Sequence, residues 1–144
     1  MFQTVRVVVY RMSNRSVGNA FEREFAQTLA HYGFWVHLMA QTASGQPADV
    51  IAVRNGKPYL IDCKVCEQDW FRFDRIEDNQ FCAMQRWFET GNPHGWFALK
   101  LSNGEVYMVN NRTIRDLYSE GFCSMTLRSI ENYGFTLEEW VSIY

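Results

Sequence analysis

The sequence predicts a mixed α/β domain, in which helices pack against a central mixed sheet. Two stretches, 16–32 and 76–90, repeat apolar residues at helical spacing, and a glycine follows each of them. The β-prone runs fall between and after these helices, at 33–40, 49–53, 58–65, 95–101 and 106–109. The order of helix, three strands, helix and further strands is typical of a mixed α/β fold.

The other segments are expected to be short or irregular. Residues 66–75 are rich in rings and charges and predict a loop. Two short helices and a tail are expected at the end of the chain, at 111–120, 126–133 and from Gly134 onward. We expect residues 1–144 to form one domain, in which 1–13 is a basic N-terminal extension that either contacts phosphate or is basic by chance.

The composition is that of a globular protein. Hydrophobic residues make up 47% of the 144 and charged residues 21%, which argues against a disordered chain. The formal net charge of −2 argues against a protein that holds nucleic acid by bulk charge alone. No run approaches the ~20 apolar residues that span a bilayer, and Arg6 and Arg11 interrupt the apolar N-terminus. We therefore expect no membrane association and a cytoplasmic location.

Four cysteines bear on metal binding and redox state. Only Cys63 and Cys66 have the spacing of metal ligands, and no second pair or neighbouring histidine completes a zinc site. We expect the cysteines to be small buried thiols in a reducing compartment instead.

The turn at Asn55-Gly56 predicts the register of one hairpin. Asn-Gly is a preferred two-residue type I′ turn, which pairs Arg54 with Lys57 and, counting outward, Asp49 with Asp62. The last pair is of the non-hydrogen-bonded kind, in which the side chains are closest. A β-bulge, which is common beside active sites, would break this register.

Two opposed carboxylates repel one another unless a cation lies near them. Asp49 and Asp62 therefore predict a site for Mg²⁺, or for Mn²⁺ in its place, since both cations prefer carboxylate oxygens. Lys64 lies two residues beyond Asp62 and projects from the same face of the sheet. Such a set can bind a metal, position a water and stabilise phosphorane-like charge. The alternative is a solvated hairpin face, which Leu60 on that same face disfavours.

Two further polar residues lie on or beside the apolar faces of the predicted helices. Gln80 falls within the apolar stripe formed by Ile76, Met84 and Trp87, so it needs a partner such as a metal, its water or a backbone carbonyl. Glu22 borders the apolar face of the first helix, where it is either a solvated carboxylate or a further acid of the site.

Together, Glu22, Asp49 and the run Asp62-Cys63-Lys64 resemble the PD-(D/E)xK nuclease pattern. Pro47-Ala48-Asp49 matches its first part loosely and Asp62-Cys63-Lys64 matches its second. Longer stretches resemble the RecU-type Holliday junction resolvases, namely GNAFERE at 18–24, the segment from Phe71 to Gln80 and SIENYG at 129–134. The likeness runs from about residue 14 to residue 135.

This resemblance implies a restriction-endonuclease-like core of helix, three-stranded meander, helix and strand. It implies metal ligation by Asp49, Asp62 and Gln80, with Lys64 stabilising charge or orienting the water and Glu22 as a further acid. It also implies a homodimer that uses Mg²⁺ to nick paired strands of four-way, branched DNA.

Three departures from that family are visible in the sequence. Pro47 stands where the family has a threonine two residues before its first acid, and Asp62 is one methylene shorter than the usual glutamate. Residues 41–47 leave no room for the long stalk that the family inserts there to hold junctions. The resemblance is therefore to a stalk-less variant, such as a phage or mobile-element form, and junction specificity is open.

Three functions remain open on the sequence. The first is a Mg²⁺-dependent endonuclease that resolves Holliday junctions in DNA recombination and repair. The second is a repair or restriction-type nuclease that cuts other DNA with the same site, and the third is a non-catalytic nucleic-acid-binding or partner-binding domain on a degenerate nuclease fold.

The candidate DNA contacts are Arg15, Trp70, Arg72 and Arg75. Phe71 and Phe73 are expected to be core anchors.

Overall fold

The computed structural model describes residues 14–144 apart from positions 41 and 44. The basic extension predicted at 1–13 lies outside the described residues. The helices are α1 (Asn14–His31), α2 (Asp78–Glu89), α3 (Asn111–Ser119), α4 (Leu127–Tyr133) and α5 (Leu137–Ile143), with a 3₁₀ turn at Phe73–Arg75. The strands are β1 (Trp35–Leu38), β2 (Val50–Arg54), β3 (Lys57–Cys66), β4 (Phe71–Arg72), β5 (Trp96–Leu101), β6 (Val106–Asn110), β7 (Ser124–Met125) and β8 (Phe135–Thr136).

The central sheet has six strands in the order β1-β2-β3-β5-β6-β8. Strands β3 and β5 are parallel, with α2 in the connection between them, and the other neighbours in this sheet are antiparallel. Strands β4 and β7 form a separate two-stranded sheet. The predicted order of helix, three-stranded meander, helix and strand is present in α1, β1 to β3, α2 and β5, so the predicted mixed α/β fold is confirmed.

Helices α1 and α5 cover one face of the sheet. Their buried side chains Phe25 and Trp140 pack in one cluster with Tyr59 and Ile61 of β3. Helices α2, α3 and α4 cover the other face, where a second cluster contains Leu60, Met84, Phe97, Ile114 and Ile130. Side chains alternate along a strand, so the even-numbered residues of β3 point toward α2. Asp62 and Lys64 therefore lie on the same face as Leu60.

The hairpin of β2 and β3 has the predicted turn and register. Asn55 and Gly56 have φ angles of 54° and 74°, which is the left-handed conformation that a type I′ turn requires at both positions. The strands pair as expected from Arg54 with Lys57 out to Val50 with Ile61.

Three predicted segments differ from the structure. Helix α2 begins at Asp78 and not at Ile76, because Glu77 is extended, with φ −72° and ψ 148°, and precedes the first helical residue. The predicted loop at 66–75 contains β4, which pairs with β7 some fifty residues later in the chain. The predicted tail from Gly134 instead contains β8 and α5, and α5 contributes the fully buried Trp140 to the core.

The cysteines follow the sequence prediction in part. All four are free thiols, and Cys63 and Cys66 are buried as expected, whereas Cys82 and Cys123 are exposed. The core-anchor prediction holds for Phe71 and Phe73, since both are buried. In the part of the chain that the structure describes, none of the helices has the length and apolar character needed to cross a membrane.

Candidate active site

Asp49 lies just before β2, where the antiparallel ladder stops. Its N–H donates to the Ile61 carbonyl at 3.1 Å, so the backbone departs from the predicted pairing of Asp49 with Asp62 by one residue. The Asp49 carboxylate is nevertheless held over β3, since the Cys63 N–H donates to its Oδ2 at 2.7 Å. The other oxygen, Oδ1, accepts a 3.1 Å bond from Gln46 Nε2. Asp49 is therefore bonded at both oxygens and only 4% exposed.

Asp62 is completely buried on the α2 side of β3. Its Oδ1 accepts a 2.8 Å hydrogen bond from Gln80 Nε2. Its Oδ2 forms an ion pair with Lys64 Nζ at 3.0 Å and has no hydrogen-bond partner. Burial raises the pKa of Asp62 well above its usual value, the Lys64 ammonium opposes that rise, and the neighbouring Asp49 adds to it.

Gln80 connects the helix to the sheet through two side chains of β3, Asp62 and Lys64. It is the third residue of α2 and is 5% exposed. Its Oε1 accepts from Lys64 Nζ at 3.3 Å and from the Glu77 N–H at 3.3 Å, while its Nε2 bonds Asp62. The carboxamide thus fixes Asp62 and Lys64 relative to the start of α2.

Glu22 brings a third carboxyl group from α1 to the same place. It lines a polar cavity of about 490 Å³ together with Asp49, Lys64 and Gln80. Partial burial, and then the charge of Asp49, raises the pKa of Glu22 from 4.5 to about 7. The five residues predicted to be catalytic therefore gather at or directly beneath one cavity.

Gln46 is a residue of this cavity that sequence reasoning missed. It lies in the loop between β1 and β2, and a single amide in a polar loop carries no pattern that would mark it. Asn79, beside Gln80 in the first turn of α2, donates to the Gln46 carbonyl at 3.2 Å. Gly45 approaches the same Asn79 so closely that an added Cβ would lie 2.7 Å from Nδ2. The first turn of α2 thus contacts Asp62 directly and Asp49 through Gln46.

The donor set fits a divalent cation of the Mg²⁺ type. Asp49 and Asp62 supply two neighbouring carboxylates. The fully buried Asp62 Oδ2 has no hydrogen-bond partner, and a bound cation would satisfy it. Over residues 14–144, leaving aside positions 41 and 44, no group of three or more His, Cys, Asp or Glu side chains has the arrangement of a metal site. Mg²⁺ commonly takes only one or two carboxylates and completes its shell with water and substrate phosphate, so two acids suffice.

The residues predicted to contact DNA do not all occupy one surface. Arg15 is exposed in the first turn of α1. Trp70 and Arg72 are exposed beside each other, with the guanidinium carbon 5.7 Å from the centre of the indole ring. Arg75 points inward, 6.0 Å from the Phe71 ring centre and 3.8 Å from Cys66 Sγ, which is a packing position.

The fold is of the restriction-endonuclease-like class. Residues 13–143 match the sequence profile of a family described as archaeal Holliday junction resolvase (Hjc), and the chain belongs to that family. It is therefore a hydrolase that acts on DNA phosphodiester bonds, and such resolvases typically use a divalent metal. The prediction of a Holliday junction resolvase is confirmed. The family that matches is the archaeal resolvase family, and the match does not support the RecU type specifically.

A solved structure has the same fold. It is Hjc of Archaeoglobus fulgidus, described as a Holliday junction resolvase from an archaeal hyperthermophile, which is 17% identical with a TM-score of 0.63. The alignment covers 88% of this chain and 97% of that one. No curated protein sequence matches the chain.

Proposed function

We propose that this chain is a Mg²⁺-dependent endonuclease that resolves four-way DNA junctions, with Asp49, Asp62 and Lys64 as its central residues. The observation that carries the proposal is the contact of Lys64 with a buried carboxylate that lacks a full set of hydrogen bonds, beside a second buried carboxylate. Burying charged groups in this way costs desolvation free energy, and such groups cluster at functional sites. Membership of the resolvase family supports the reaction and the branched substrate.

Asp49 and Asp62 are the residues that would hold the cation. Gln80, which the resemblance implied as a third ligand, is assigned to keeping Asp62 in place, because both ends of its carboxamide are bonded to protein groups. When bound, Mg²⁺ would polarise the scissile phosphate and lower the pKa of a bound water. Lys64 is placed to stabilise the negative charge that develops on the phosphate or to orient the attacking water. Glu22 lines the same cavity and is placed to accept a proton from the attacking water.

We extend the proposal to the assembly and organisation of the enzyme. One chain supplies one site, and paired nicks across a junction need two, which favours a homodimer. The two apolar clusters lie on opposite faces of one sheet, in keeping with one domain. The resemblance of Gln80 and of the stretch from Phe71 to the RecU type is a proposal that rests on the sequence alone. A cytoplasmic location is likewise an expectation from the sequence.

Cleavage of a synthetic four-way junction tests the proposal. Wild type should cut it in Mg²⁺ or Mn²⁺ and not in EDTA, and Lys64→Ala should lower the rate by at least about 100-fold. Lys57→Ala is the matched control, since Lys57 is an exposed lysine in the turn of the same hairpin. Lys64→Ala cutting as fast as Lys57→Ala would overturn the site.

The same assay distinguishes the substrate classes. A linear duplex of the same sequence should be cut much more slowly than the junction. Equal cleavage of the two DNAs would favour the repair or restriction-type reading with the same site. Sedimentation of the protein alone should give the mass of a dimer.

A further inference from the structure

A second, larger groove lies apart from the polar cavity. It has a volume of about 690 Å³ and is bordered by the start of β4, the first turns of α2, and α3. We call it the aromatic groove and define it by Trp70, Phe81, Arg115 and Tyr118, which all line it. Trp70, Phe81 and Tyr118 are 43%, 38% and 65% exposed, which is unusual for three large rings that border one concavity.

Two of these rings are paired with arginines. The Arg72 guanidinium carbon lies 5.7 Å from the centre of the Trp70 ring, and that of Arg115 lies 5.7 Å from the centre of the Phe81 ring. Arg115 is held in place because it also donates to Gln85 on α2. Planar rings beside guanidinium groups are the surfaces on which unpaired nucleobases stack.

The charges of the groove match a base more closely than a phosphate chain. Arg72 and Arg115 are balanced by Asp74 and Asp78, and Asp74 forms a 3.3 Å ion pair with Arg72. Carboxylates would repel a backbone that ran along the floor of the groove. They can, however, accept hydrogen bonds from the ring N–H and exocyclic amino groups that a base exposes once it is unpaired.

The groove and the polar cavity share one structural element. Ile76 and Asp78 line the aromatic groove, whereas Glu77 and Gln80 line the polar cavity, so the two lie on either side of the first turn of α2. A DNA strand whose scissile phosphate reaches Lys64 would therefore present a nearby nucleotide to the groove. A branched DNA has its least stacked bases at the branch point.

From these contacts we propose that the aromatic groove binds one unpaired nucleobase of the DNA, stacked against Trp70 and Tyr118. The inference rests on the proposed function, because it assigns the groove to the same substrate. It adds a reason why a chain with no stalk and a net charge of −2 could select branched over linear DNA.

Photocrosslinking tests this contact. A single-stranded oligonucleotide with one 5-iodouracil and a hairpin with the same base paired are each bound in EDTA and irradiated. The unpaired base should crosslink to Trp70, Phe81 or Tyr118, with a yield about ten-fold above that of the paired base. Crosslinks confined to other regions, or equal yields from the two DNAs, would overturn the proposal.

Affinity measurements give the second test. The double variant Trp70→Ala with Tyr118→Ala should bind the single-stranded oligonucleotide about 5- to 150-fold more weakly, the range expected for the loss of one base–aromatic stack. Trp35→Ala is the control, since Trp35 is 61% exposed on β1 and outside the groove. An unchanged affinity would overturn the proposal, and an accompanying change from dimer to monomer would assign the groove to a second copy of the chain.

The two proposals fail in different ways. Wild type that crosslinks as expected but leaves a four-way junction uncut in Mg²⁺ contradicts the proposed function and not the groove. Junction cleavage by wild type, without crosslinks in the groove, contradicts the groove alone.

Discussion

The side-chain amide of Gln80 joins Asp62 to Lys64: its Nε2 donates to Asp62 Oδ1 at 2.8 Å, and its Oε1 accepts from Lys64 Nζ at 3.3 Å. Gln80 is the third residue of α2, while the other two lie on β3. The start of α2 therefore fixes the relative positions of the buried acid and the base.

Gln80→Ala should impair metal binding more than it impairs folding. Asp62 Oδ1 loses its hydrogen bond and Lys64 loses its second acceptor, so both side chains become free to move. We expect the Mg²⁺ concentration for half-maximal cleavage to rise about 10- to 100-fold. Gln27→Ala, an exposed glutamine of α1, is the control. Unchanged Mg²⁺ dependence in Gln80→Ala would show that the amide has no positioning role.

Gln46→Ala should have a smaller effect of the same kind. Asp49 keeps its bond from the Cys63 N–H but loses the one from Gln46. We expect a rise of about ten-fold in the Mg²⁺ requirement, and Asn79→Ala should show part of it, because Asn79 holds the Gln46 carbonyl. The measurement is a Mg²⁺ titration of junction cleavage, with Gln68→Ala in an exposed loop as control. If Asn79→Ala and Gln46→Ala both match that control, the loop does not position Asp49.

The metal-free protein should lose stability as pH rises. Folding raises the pKa of Glu22 from 4.5 to about 7, so the native state binds this proton more tightly than the unfolded chain does. The resulting stability is present below about pH 4.5 and is lost as pH rises to about 7. The pKa of Asp62 is raised as well, which acts in the same direction.

Urea unfolding in EDTA at several pH values measures this effect. Between pH 5 and pH 8, the free energy of unfolding of Glu22→Gln should fall by about 1 kcal/mol less than that of wild type. The difference is this small because Glu22 is only partly buried and solvent screens its charge. Mg²⁺ should recover stability at pH 8. Identical pH profiles for wild type and Glu22→Gln would contradict the burial of this carboxyl group beside Asp49.

Trp140→Ala should destabilise the whole fold. Trp140 is fully buried and stacks on Phe34 with ring centres 5.4 Å apart. Its removal should cost about 3–5 kcal/mol of unfolding free energy, measured by urea denaturation. Trp35→Ala should cost less than about 1 kcal/mol, since Trp35 is 61% exposed. Similar losses in the two variants would mean that α5 is not part of the core.

The sequence predicted the parts of the fold that depend on local patterns. The Asn55-Gly56 turn determined the register of β2 and β3, because only a few residue pairs favour a left-handed conformation at two successive positions. Helix α5 was missed although its start carried a signal, in which Thr136 and Glu139 each accept a hydrogen bond from the backbone of the other. Strands β4 and β7 could not be predicted, since two-residue strands form only through a distant partner.

The candidate site was predicted where alternation and helical spacing place side chains. Asp62, Lys64 and Gln80 meet because a strand period of two and a helix period of 3.6 point them at the same space. The bond from the Asp49 N–H to Ile61 was not predictable, because an interruption of the ladder has no sequence signature here. Gln46 reaches Asp49 only through the path of a loop, which Asn79 on another element helps to fix.

Junction cleavage by Asp62→Asn tests the central claim most directly. The change keeps the shape of the side chain and removes the charge, and Asp116→Asn on the exposed side of α3 is the matched control. Thermal unfolding must first show that both variants fold. With Mg²⁺ present, wild type and Asp116→Asn should cut the four-way junction. Asp62→Asn should be at least about 100-fold slower, and cleavage by folded Asp62→Asn at the wild-type rate would contradict the account.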